Sequence, residues 1–99
     1  MRGLTTTESA LRLYTVMTKT YQRICDPGHS WLKVPVEDVR DLAGVFDEIT
    51  NYSPIKKRQC YLEEDCDLDT FFVAMRNKGY TVNMININVP DFDSYLANQ

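Results

Sequence analysis

The chain has 99 residues, enough for one hydrophobic core and too few for two, so residues 1–99 read as a single domain. With 43% apolar and 25% charged residues, it has the composition of a folded globular chain rather than a disordered or fibrous one. A formal charge of −3 and a pI near 5.0 argue against a general affinity for nucleic acid, which needs clustered Lys and Arg; the one basic run is Lys56-Lys57-Arg58.

Along the chain, Thr5 and Glu8 have the spacing of a capping box, and Leu11, Tyr14 and Met17 share a helical face, which predicts a helix from residue 5 to about 17. From Thr18 the β-branched residues suit a strand, and Cys25-Asp26-Pro27-Gly28 ends it with turn chemistry. Trp31–Val34 follows as a short strand that Pro35 stops. A helix over 36–43 presents Val36, Val39 and Leu42, with Glu37 and Asp38 in its first turn and Gly44 as its stop. Val45, Phe46 and Ile49 fill the core from a loose helical turn, and residues 51–54 form a loop.

Residues 57–63 alternate as a strand. The clearest element follows: Leu68, Phe71, Phe72 and Met75 stand at i, i+3, i+4 and i+7, with Gly79 just beyond, and predict a helix over 67–78. In 80–88 the apolar parity shifts, from Val82 and Met84 to Ile85, Ile87 and Val89, which predicts a bulge near Met84-Ile85. Residues 90–99 form a polar tail in which Phe92, Tyr95 and Leu96 are docking points. The expected architecture is α+β: a small, mostly antiparallel sheet with two helices on one face and an additional N-terminal helix. The core spans 18–89, and 1–16 is an extension that serves a partner surface or dimer contact.

No apolar run approaches the roughly 20 residues of a membrane span, and the N-terminus lacks the zones of a signal peptide, so the cytoplasm is the expected compartment. Cys25, Cys60 and Cys66 are odd in number and nowhere spaced C-x-x-C, which predicts free thiols and neither a disulfide framework nor a zinc ribbon. No motif implies a cofactor or a metal ion.

From Glu63 to Asp69, five carboxylates and a cysteine fall within seven positions. Asp67 takes the N-cap position of the following helix and Asp69 its first turn, so local helix energetics account for both. Asp65-x-Asp67-x-Asp69 imitates the start of a calcium loop, but the sixth position is Thr70 and the twelfth Arg76, which excludes an EF-hand. Glu63, Glu64 and Asp65 remain as strand-end carboxylates. His29, the one histidine, follows the Gly28 turn and stands beside Trp31; Cys25 lies four residues before it. If that turn and the end of the 57–63 strand share an edge, His29, Trp31, Tyr52, Glu63, Glu64 and Asp65 form a polar and aromatic cluster. Its expected use is docking of a partner; the alternative is a small hydrolase or metal-dependent enzyme using His29 with Glu63, Glu64 or Asp65. Mimicry of nucleic acid by the acidic surface is a weaker third reading at a charge of only −3.

Three blocks, Asp26-Pro27-Gly28-His29-Ser30-Trp31-Leu32-Lys33-Val34, Ile49-Thr50-Asn51-Tyr52-Ser53 and Tyr61-Leu62-Glu63-Glu64-Asp65-Cys66-Asp67, resemble a family of small uncharacterised proteins of bacteriophages and other mobile elements. That family's pattern is G-H-x-W, a short helix, I-S-x-Y-S, and Y-L-E-E-D-x-D before a helix. The likeness spans about residues 18–88; the family has Gly where this chain has Ser30, and it begins near Met17. The resemblance carries no activity, but it implies an acidic, phage-type accessory protein acting through protein–protein interaction with a host or phage protein, with anti-defence or host takeover as the natural specialisation.

Overall fold

The computed structural model describes residues 17–99. The helix expected from residue 5 and the 1–16 extension lie outside the described residues. β1 (Met17–Cys25) and β2 (Ser30–Pro35) form an antiparallel hairpin in which Cys25 pairs with Ser30 and Gln22 with Lys33. Asp26 closes its turn, because one carboxylate oxygen accepts the Gly28 and His29 N–H groups at 2.9 and 2.8 Å. Pro35 ends β2 and opens α1 (Val36–Arg40). Gly44, at φ 78°, supplies the left-handed turn into α2 (Val45–Glu48).

The strand expected over 57–63 is two strands. β3 (Ile55–Lys56) and β4 (Gln59–Glu63) are joined by Lys57 and Arg58, both at positive φ (48° and 64°), as a two-residue hairpin turn demands. The missing Gly or Asn hid this turn from the sequence. α3 (Leu68–Asn77) buries the periodic Leu68, Phe71 and Met75, each contributing about 2 kcal/mol on burial. Gly79, at φ 92°, turns the chain into β5 (Tyr80–Asn88), and α4 (Phe92–Ala97) follows.

The sheet order is β3-β4-β2-β1-β5. The fold is α+β as expected, but the sheet is mixed rather than mostly antiparallel: β5 pairs with β1 in parallel along all nine residues, from Met17↔Tyr80 to Cys25↔Asn88. The reason lies in connectivity. A helix joining two strands returns the chain to its starting end, so β5 runs in the direction of β4. Since β2 is antiparallel to both β4 and β1, β5 must also run with β1.

One sheet face carries Tyr21, Leu32, Val34, Cys60 and Leu62 under α1, α2 and α3. The opposite face carries Ile24 and Tyr61 under Phe92 of α4, with Trp31, Ile87, Tyr95 and Leu96 around them. The segment expected as a polar tail is therefore a helix that closes a second apolar cluster, and its expected docking points are the residues that pack. This also replaces the bulge. The β1–β5 ladder runs unbroken, and the parity shift in β5 records a change of covered face: Tyr80, Val82 and Met84 pack with the α1–α3 cluster, Ile87 and Val89 with α4. Among the described residues no helix is long and apolar enough to cross a membrane.

Candidate functional site

The turn after β1 and the end of β4 share one edge of the sheet. Trp31 and Glu63 are direct cross-strand partners, and Glu64 extends the ladder by donating its N–H to the Ser30 carbonyl at 3.1 Å. His29, one residue before β2, sets its ring 5.9 Å from the Trp31 ring. Glu63 projects to the face of its cross-strand partner Trp31. Beyond it residues 64–67 form a turn in which the Cys66 and Asp67 N–H groups donate to the Glu63 carbonyl at 3.3 and 2.9 Å, and this turn sets Asp65 back beside the Glu63 carboxylate.

His29, Glu63 and Asp65 each bring one donor atom to a common point, all within 4.8 Å of one another. Glu64 is not part of this group. Its carboxylate instead accepts the Ser30 hydroxyl at 2.7 Å. Of the six residues expected at the site, His29, Trp31, Tyr52, Glu63 and Asp65 line one open concavity of about 390 Å³, and Cys66 completes its wall.

Tyr52 arrives from a third segment, and the agent that holds it there is Asp67. Asp67 occupies the N-cap position of α3, yet its side chain makes no cap hydrogen bond. The buried carboxylate instead accepts the Thr50 N–H at 3.0 Å, the Thr50 hydroxyl at 2.7 Å and the Ser53 hydroxyl. The Ser53 oxygen in turn accepts the Glu63 N–H at 2.8 Å. The 50–53 loop is thereby tied to both ends of the acidic segment, and Tyr52 is left 71% exposed at the rim.

The electrostatics of the concavity are one-sided. Glu63 is only 6% exposed, and its carboxylate accepts the Asp65 N–H at 2.8 Å. The ion pairs among the described residues are Lys19–Asp38 and Arg58–Glu37, neither of them at this edge. Cys66 registers the field: the Glu63 carboxylate accepting its thiol proton pushes the thiol above its ordinary range, with further contributions from desolvation and the charges of Glu63, Asp67 and Asp65. Cys25 bonds to the Arg23 carbonyl at 3.6 Å, which gives no support to a thiolate pair with His29. All three cysteines are free thiols.

Asp26 is the supporting residue that the sequence placed only in a turn. Beyond the two N–H groups of the hairpin, it accepts the Phe92 N–H at 3.3 Å and so links the His29 turn to α4. Hydrogen bonding from the His29 N–H holds its carboxyl below the usual range. A second concavity, of about 440 Å³, crosses β1 beside α1; its Lys19, Tyr21 and Asp38 are already paired with one another. Comparison of the chain with protein-family models, with curated proteins and with solved structures yields no match.

Proposed function

We propose that this is a small phage-type accessory protein that acts by binding, using the concavity at the β2–β4 edge to dock a host or viral protein. The observation that carries the reading is convergence: the 26–34, 49–53 and 61–67 segments that bear the resemblance meet at this edge, through the Ser30–Glu64 bond and the Asp67–Thr50–Ser53–Glu63 network. That network presents an exposed Tyr52 beside Trp31 and an acidic rim, a surface suited to a partner with basic and apolar side chains. Interference with a host defence is the specialisation this reading favours.

The test is affinity capture from host lysate with the wild-type protein and with Tyr52→Ala and Asp65→Lys, two exposed positions whose replacement leaves the core intact. Stoichiometric capture of one protein that both variants lose by tenfold or more is the expected result. Capture that both variants retain would move the docking surface elsewhere. The enzymatic alternative keeps His29, Glu63 and Asp65 but loses Glu64, and their shared approach within 4.8 Å is the observation that favours it.

A further inference from the structure

We infer that His29, Glu63 and Asp65 form a binding site for a transition-metal dication of the zinc type. The inference goes beyond partner docking and does not rest on it, since the isolated protein is expected to take the ion. Two independent observations carry it.

The first is donor geometry. A dication about 2.1 Å from each of three donors needs donor–donor separations of roughly 3 to 4.3 Å. One imidazole nitrogen and two carboxylate oxygens here lie within 4.8 Å of one another. His29 and Asp65 are exposed, so side-chain rotation is enough to close the remaining gap. Their backbones are already held in place: the Asp26 carboxylate grips the His29 N–H, and the Glu63 carboxylate grips the Asp65 N–H. Ligands supported in this way lose little freedom when the ion arrives.

The second is a buried carboxylate without an ion pair. Glu63 is more than nine-tenths buried beside Trp31, and no Lys or Arg among the described residues forms an ion pair with it. Buried carboxylates are ordinarily paired with a cation or coordinate a metal, because an isolated charge is costly to remove from water. The contrast with Asp67 is informative. That carboxylate is equally buried, but Thr50 and Ser53 satisfy it with three donor groups. Glu63 accepts one recorded donor, the Asp65 N–H, and lines the concavity with Asp65.

An imidazole with two carboxylates suits zinc better than magnesium or calcium, which prefer oxygen donors alone. Three protein donors leave a coordination position open to the concavity, where water or a carboxylate or phosphate oxygen completes the shell. Cys66 stands outside the three-residue donor group and is not a required ligand.

The experiment is calorimetric titration of the reduced, full-length protein with zinc chloride in a non-chelating buffer, repeated with magnesium chloride. The expected result is one saturable zinc site in the micromolar range and magnesium binding at least about 100-fold weaker. His29→Ala and Asp65→Asn should each weaken zinc by at least about tenfold, while Cys66→Ser changes it by less than about threefold. Both ligand positions are exposed, so thermal melts of the metal-free variants should match the wild type and exclude misfolding as the cause. Absence of saturable zinc binding, affinity unchanged in His29→Ala, or affinity abolished in Cys66→Ser would each overturn the site. Partner capture by the wild type is a separate readout, so a failure of docking and a failure of metal binding are distinguishable.

Discussion

Three acidic residues of one short segment have three different fates, and each is decided by what faces the carboxylate. Glu64 turns toward Ser30, Glu63 toward the concavity, and Asp67 toward the 50–53 loop. The sequence argument for Asp67 as a cap named the right position and the wrong partner. A cap requires the side chain to turn back to its own helix, but here Thr50 and Ser53 offer more donors. Asp67→Ala should therefore cost more than the ~1 kcal/mol of a lost cap. Removing a buried charged acceptor from several donors is expected to destabilise by roughly 3 kcal/mol. Asp69→Ala, at an exposed position in the same first turn, should cost less than about 0.5 kcal/mol. Urea unfolding of the two variants checks the contrast, and equal losses would return Asp67 to a capping role.

At the scale of the element, α4 shows how a segment that reads as polar becomes structural. Six residues are too few to form a stable helix alone. This one is held by its Asp91 cap, which accepts the Ser94 N–H at 2.9 Å, and by Lys56, which donates to the Leu96 carbonyl at 2.7 Å. It is held above all by Phe92, stacked on Trp31 with ring centroids 3.7 Å apart and edge-on to Tyr61. Lys56 is thus engaged in local structure, and Arg58 pairs with Glu37. Phe92→Ala should destabilise the protein by about 3–4 kcal/mol. It should also expose the single tryptophan, seen as a red shift of native-state fluorescence. An unshifted spectrum would show that Trp31 is shielded by something other than α4.

At the scale of the whole molecule, the sheet is covered on both faces, so its central strands β1, β2 and β4 carry apolar side chains in both directions. Two ionisable groups are buried on the α1–α3 side. Burial pushes the Cys60 thiol up to about 11 from about 9. Burial, aided by the hydrogen bond to Asp38 at 2.7 Å, raises the Tyr21 phenol above its usual range. Both groups are neutral in the folded state and would ionise at lower pH in the unfolded chain. Their contribution to stability is complete below the unfolded values and disappears as pH rises toward the folded ones. For Cys60 that window runs from about pH 9 to about pH 11. Melting temperature should accordingly fall across it, with about 3 kcal/mol lost, and Cys60→Ala should flatten the slope although it lowers stability at neutral pH. A Cys60→Ala profile parallel to the wild type would assign the alkaline loss to other groups.

What the sequence determined by itself were the features carried by local periodicity and turn chemistry. The Leu68-Phe71-Phe72-Met75 stripe located α3, Asp26-Pro27 located the first hairpin, and the sequence named His29 and the Glu63–Asp65 carboxylates as a cluster only on the condition that their turn and strand end share an edge. The tertiary structure decided what depends on distant partners. It made the β1–β5 pairing parallel, since direction follows from the path of α3 over the sheet rather than from any residue in β5. It gave α4 a face to cover and so explained the parity of β5 without a bulge. It brought His29, from the end of one hairpin, within reach of Glu63 and Asp65, thirty-four and thirty-six positions away in the chain. Local patterns record which way a side chain points; only closure of the sheet determines what it meets there.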